Sequence, residues 1–209
     1  MKLFEYLKVH DDMDDVMGNC GEYIKAAKHT GMFLYRGSKT NSYEDVSYIV
    51  PRTNREPKSS SIEFHDFCDK YFLKKFGWAA RSGGVFAKTG HISRIYGTPY
   101  LFFPVDGFKF IWSPKVSDLF GFDWLIRSRY PLRPMDVENI KYTMVKGIFP
   151  NPKIELDMDP TQALENILGT YIDDKFDLAL ASEFEIMFKC DGYYMVNKSE
   201  KYIKEVIGE

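Results

Sequence analysis

The chain is poor in cysteine and has none of the spacings that make cysteine useful. Cys20, Cys68 and Cys190 are odd in number, far apart and form no CxxC pair. That excludes a disulfide framework and a cysteine-based zinc module, and it implies reduced thiols. No apolar run approaches the roughly 18 residues that cross a bilayer. The opening MKLFEYLKVHDDMDD turns acidic where a signal peptide needs its apolar stretch. These absences predict a soluble, cytoplasmic protein. No GxSxG elbow is present, and the four histidines are scattered, so neither a serine hydrolase nor a nuclease has support. Neither sign of charge dominates: Lys+Arg number 28 against 30 Asp+Glu, for a net charge of -2 and a pI near 6.1. Such a balance does not hold nucleic acid by bulk electrostatics, although it leaves room for a local basic groove.

What is present is apolar and aromatic. Of 209 residues, 44% are hydrophobic and 16% aromatic, enough for one sizeable core, and residues 1–209 read as a single domain. The first thirty residues read as helical, with Asp11, Asp12, Asp14 and Asp15 suited to a helix N-terminus; a metal site with His10 is the alternative. GMFLYRG reads as a buried strand, and the stretch from Ser38 to Ser61 as a long loop. Ser60 and Glu63 have capping-box spacing ahead of a helix whose apolar face is Phe64, Phe67, Cys68, Tyr71 and Phe72, ended by Gly77. A basic-aromatic nucleic-acid patch of Lys70, Lys74, Lys75, Trp78 and Arg81 competes with that core reading.

GGVFAKTG reads as a strand, HISRIYG as a helical turn and PYLFFPV as a strongly apolar strand. FKFIWS is its expected hairpin partner across Asp106-Gly107. Residues 118–159 read as irregular. Asp159-Pro160 starts a helix, with Pro160 in the first turn, Gln162 at the capping-box position and Leu164, Ile167, Leu168, Tyr171 and Ile172 on its apolar face. SEFEIMFKC and GYYMV read as strands, followed by a short helix. The sum is an α+β chain.

Three fragments carry candidate chemistry. Arg36-Gly37 ends a strand: a planar guanidinium there suits a phosphate or carboxylate, and the glycine admits a ligand to the backbone. An arginine paired with a core carboxylate is the equal alternative. FAKTG, with Phe86, Thr89 and Gly90, would floor a pocket. Glu183 and Glu185, two apart in a strand, would share one face, in a cleft or in solvent.

In that order, LYRG, FAKTG and SEFEIMF resemble the mono-ADP-ribosyltransferases of the arginine/serine/glutamate clade, of the kind bacteriophages carry. SEFEIMFKCDGYYMV is similar to the last element of phage transferases that modify host RNA polymerase and ribosome-associated proteins. HISRIYGTPYLFFPV is similar to the segment after their serine strand. The family's Ser-x-Ser is replaced here, with Thr89 in the serine's place.

The resemblance implies a split β-sandwich of short strands flanked by helices, acting in the host cytoplasm, directly or delivered with the virion. It implies a glycosyltransferase-class enzyme, with NAD as co-substrate and no metal. Glu185 would stabilise the ribosyl cation, Glu183 would orient or deprotonate the acceptor, and Arg36 would hold a phosphate or ribose. The Gly37 backbone would meet the nicotinamide amide, and Arg81, Phe86, Thr89 and Gly90 would contact NAD. Arg55 is a further contact suggested by position. The acceptor would be a host macromolecule, protein arginine rather than RNA, and the enzyme a monomer. The rival is a non-enzymatic phage protein, an inhibitor or virion component, that binds a host protein through residues 118–159.

Overall fold

The computed structural model describes residues 7–8, 12–39, 45–87, 93–94, 97–145, 151–197 and 200–207. The chain is α+β, with two small antiparallel sheets flanked by helices. The five-stranded sheet runs in the order β1 (Leu7–Lys8), β3 (Val46–Ile49), β8 (Tyr193–Asn197), β5 (Thr98–Pro104), β2 (Tyr35–Ser38). The three-stranded sheet has β7 (Ile186–Lys189) between β4 (Val85–Ala87) and β6 (Lys109–Trp112).

The smaller sheet explains its own sequence. Strand alternation sends Phe86, Met187 and Ile111, which lie side by side, to one face. The rows Val85-Phe188-Phe110 and Ala87-Ile186-Trp112 point to the other. Each face meets a different core. One core gathers the second set with the five-stranded sheet and with α1 (Met13–Asn19), α2 (Gly21–Thr30) and α8 (Phe176–Ala181). The other gathers Met187 and Ile111 with α3 (Ile62–Phe76), α6 (Pro134–Thr143) and α7 (Pro160–Leu168). A strand covered on both faces reads as a continuous apolar run, and Ile186-Met187-Phe188 is fully buried.

Several expectations are corrected. PYLFFPV and FKFIWS do not form a hairpin: β5 pairs with β8 and β2, whereas β6 pairs with β7. Asp106 is diverted from hairpin duty to cap α2, whose own N-cap, Cys20, makes no side-chain cap bond. Its carboxylate accepts from the Gly21 and Glu22 amides at 3.0 and 2.9 Å. The stretch from Ser38 to Ser61 is not all loop, since VSYI forms β3 between two sheet neighbours. Residues 118–159 hold a 3-10 turn (Leu119–Phe122), α5 (Asp123–Arg127) and α6, too short to show a period. The GMFLYRG strand is a half-buried edge rather than a buried one. Ser61 rather than Ser60 caps α3, accepting from the Phe64 amide at 3.4 Å.

Other readings hold. Asp12 caps α1 in a reciprocal box with Asp15, Gly77 ends α3 in the left-handed region at φ 78°, and Asp159 caps α7. Met1 to Phe4, His10 and Asp11 lie outside the described residues. No described helix is long and apolar enough to cross a membrane. Burial pushes the Cys68 and Cys190 thiols up to about 12, which keeps them protonated at neutral pH.

Two of these features are measurable. Phe188→Ala should cost about 3–5 kcal/mol, because a fully buried ring leaves a cavity. Asp106→Ala should cost about 1 kcal/mol, the value of a lost helix cap. Urea midpoints with an unchanged slope check both.

Candidate functional site

Two sheet edges meet at Arg36. It sits on β2, the edge of the larger sheet, opposite Tyr100, with Gly37 next to it opposite Pro99. Its Nη1 donates to the Phe86 carbonyl at 3.2 Å, on β4, the edge of the smaller sheet. Its guanidinium also lies 5.5 Å from the centre of the Tyr193 ring. The arginine of one fragment and the phenylalanine of the next are therefore in direct contact.

A second arginine is held by a buried device. After α3 ends, the chain turns into α4 (Ala80–Gly83), which no residue of its own caps. Asp69, on α3, does this instead, accepting from the Arg81 amide at 2.6 Å, the Ser82 amide at 3.0 Å and the Ser82 hydroxyl. His65, one turn earlier, places Nε2 2.9 Å from Ser82 Oγ and 3.5 Å from Asp69. Both contacts use the same ring nitrogen, so this is no serine–histidine–aspartate relay, which needs one nitrogen for each partner. The device fixes Arg81, whose guanidinium stands 5.2 Å from the Phe86 ring centre and 5.9 Å from that of Phe64. Arg81 Nε is buried without a hydrogen-bond partner among the described residues.

Arg55 completes the group from the loop after β3. Its amide donates to Ser82 O at 3.0 Å, its Nη1 to Gly84 O at 2.7 Å, and its guanidinium lies 4.7 Å from the Phe86 ring centre. Gly84 has no room for a Cβ, which would strike the Ala80 carbonyl, so the backbone leaving α4 packs directly on Ala80. Burial, then the charges of Arg36 and Arg81, push the Arg55 guanidinium down to about 10; Tyr193 and Glu185 oppose the shift. It stays protonated at neutral pH.

Glu185 is only 7% exposed. It lies immediately before β7, its amide donating to Ser117 O at 3.1 Å. Its charge reaches Arg55 and also Tyr171, a phenol that burial and then Glu185 hold well above its usual range. Arg36, on β2, and Glu185, just before β7, thus both act on Arg55. Glu183 is exposed, and neither glutamate belongs to the strand. The same-face argument for the pair fails because the segment bends through Ser182, Glu183 and Phe184 before β7 begins. Thr89 and Gly90 lie outside the described residues, with Lys88 beside them.

The basic-aromatic patch is dispersed. Trp78 is buried, Arg81 turns to Phe86, and Lys75 donates to the Gly169 and Tyr171 carbonyls, leaving Lys70 and Lys74 exposed. An open cavity of about 700 Å³ lies elsewhere, lined by Tyr71, Lys115, Glu165, Asn166 and Thr170 among others, and none of Arg36, Arg55, Arg81 or Glu185 borders it. No group of three or more metal-ligating side chains occurs among the described residues.

His65, Asp69 and Tyr193 escaped the sequence reading. A signal for the first two was present: they stand four apart beside the buried stripe of Phe64, Cys68 and Phe72, where a paired polar couple is anomalous. No protein-family model, no curated protein and no solved structure matches the chain.

Burial lowers the His65 pKa below 6.5, with Asp69 opposing and Arg81 adding to the shift. A depressed folded-state value means that the unfolded chain binds the proton more tightly. Stability is then fully present above pH 6.5 and declines as pH falls through the folded-state value. His65→Gln should remove this part of the slope, as read from urea midpoints at a series of pH values.

Proposed function

We propose that the chain is an NAD-dependent mono-ADP-ribosyltransferase with a split β-sandwich of that family's kind, encoded by a phage and acting on a host macromolecule. The observation that supports the reading is the gathering of the half-buried Arg36, Arg55 and Arg81 around Phe86, near enough to the buried Glu185 for its charge to act on Arg55. The motif order adds to it, with Arg36 on β2, Phe86 on β4 and Glu185 before β7. The donor set fits a dinucleotide, since a buried carboxylate suits a developing cation and a guanidinium beside it suits a phosphate.

NAD supplies the ADP-ribosyl group, with nicotinamide as the leaving group. The bond from ribose C1′ to the nicotinamide nitrogen breaks, its electron pair leaving with nicotinamide. The acceptor nitrogen forms the new bond to C1′ and gives up a proton. Glu185 stabilises the oxocarbenium-like centre, as a carboxylate does in glycoside hydrolysis. Exposed Glu183 is open to the acceptor and orients it or takes its proton. Arg36 holds a phosphate or the nearby ribose, and the Gly37 backbone meets the nicotinamide amide. Protein arginine is the favoured acceptor.

A second reading rests on a separate surface. Tyr130, Met135 and Tyr142 are 76%, 71% and 93% exposed on residues 118–159, a face suited to docking on a host protein without catalysis.

Glu185→Gln should leave the melting temperature close to wild type and reduce transfer about 100- to 1,000-fold, or about 3–4 kcal/mol, the usual cost of one preorganised electrostatic group. Labelled NAD incubated with bacterial extract reads this. Equal labelling by both proteins overturns the assignment of Glu185. No labelling by wild type, together with retention of a host protein that Tyr142→Ser releases, favours the docking reading. Ribonuclease and protease treatment of the labelled product separates RNA from protein acceptors.

A further inference from the structure

Three guanidiniums gather at Phe86, and Glu185 is the carboxylate that acts on Arg55 among them. Like charges brought this close repel unless an anion joins them, and partial burial strengthens the repulsion. Each arginine is nonetheless fixed before any ligand arrives. Arg55 is tied to the carbonyls of Ser82 and Gly84, Arg81 is anchored through Asp69, and Arg36 is tied to the Phe86 carbonyl. The Phe86 ring lies 4.7 Å from one guanidinium and 5.2 Å from another, and so carries two cations on one residue. The buried Arg81 Nε has no hydrogen-bond partner among the described residues. A guanidinium has five donors, and one bond to a carbonyl, as made by Arg36 or Arg55, uses one of them.

We infer that Arg55 and Arg81, mounted on Phe86 and flanked by Arg36, bind a diphosphate group. Two separate forks match two linked phosphates, whereas a carboxylate or a single phosphate would satisfy one fork and leave the other cation uncompensated. Glu185 opposes the bound anion and limits its affinity. That the diphosphate belongs to a dinucleotide rests on the transferase reading; the anion site itself rests on the arginines.

The test is calorimetric titration of the full chain with inorganic pyrophosphate at low salt. Wild type should bind it more tightly than orthophosphate. Arg55→Gln and Arg81→Gln should each weaken binding about tenfold or more, since each loses a charge-assisted fork. Glu185→Gln should bind more tightly than wild type, having lost the opposing charge. Arg81 packs on two rings, so Arg55→Gln and Arg55→Lys carry the test if Arg81→Gln does not fold. No binding by wild type, or binding that the Arg55 variants leave unchanged, overturns the site. ADP that displaces pyrophosphate one for one supports a nucleotide source, and pyrophosphate that ADP cannot displace supports a free diphosphate. Pyrophosphate binding without any transfer from NAD would remove the transferase reading and leave this site standing.

Discussion

Ile186-Met187-Phe188 has no solvent face to offer, and the architecture follows from covering it twice. Phe188 and Ile186 enter one core and Met187 the other, so the three-stranded sheet must lie between two apolar layers. The five-stranded sheet with α1, α2 and α8 supplies one layer, and α3, α6 and α7 supply the other. Burying a side chain of this size from water contributes roughly 1.5–3 kcal/mol. β7, the middle strand of this sheet, is therefore held by packing on both faces. Glu185 stands directly before it, and a carboxylate there inherits a fixed position.

The arginines reach that position by three different routes. Arg36 comes along a strand edge, Arg81 on a four-residue helix and Arg55 on a loop. None of these carriers is rigid alone, and each is stiffened by polar anchoring. Asp69 takes three donors from α4, and Gly84 and Ser82 give their carbonyls to Arg55. Hydrogen bonds involving the backbone hold the three cations together. Preorganised electrostatics of this kind is what a site handling a charged group needs.

Phe86 connects the parts. Its carbonyl holds Arg36, its ring carries Arg55 and Arg81, and its strand neighbour is Met187. A single residue of the smaller sheet thus touches the larger sheet, the α3–α4 corner and the loop after β3. Tyr130, Met135 and Tyr142, exposed on residues 118–159, belong to neither core.

Local rules determined the α+β class, the caps at Asp12, Gly77 and Asp159, and the buried stripe of α3, because these depend on neighbours within about four residues. The sequence also singled out Arg36 and Glu185, since arginine at a strand end and paired glutamates are visible as residue types. It misjudged Asp106, whose turn chemistry is local but whose partner, the start of α2, lies 84 residues away. It misjudged Glu183 and Glu185 as strand neighbours, because a bend in the chain is invisible to a period-two pattern. It passed over Asp69 and His65, whose worth comes only from Ser82 across the corner. Tertiary structure alone decided which sheet each strand joins and which guanidiniums share a ring. Pairing and charge clustering are set by burial over long separations, and no window of sequence contains both partners.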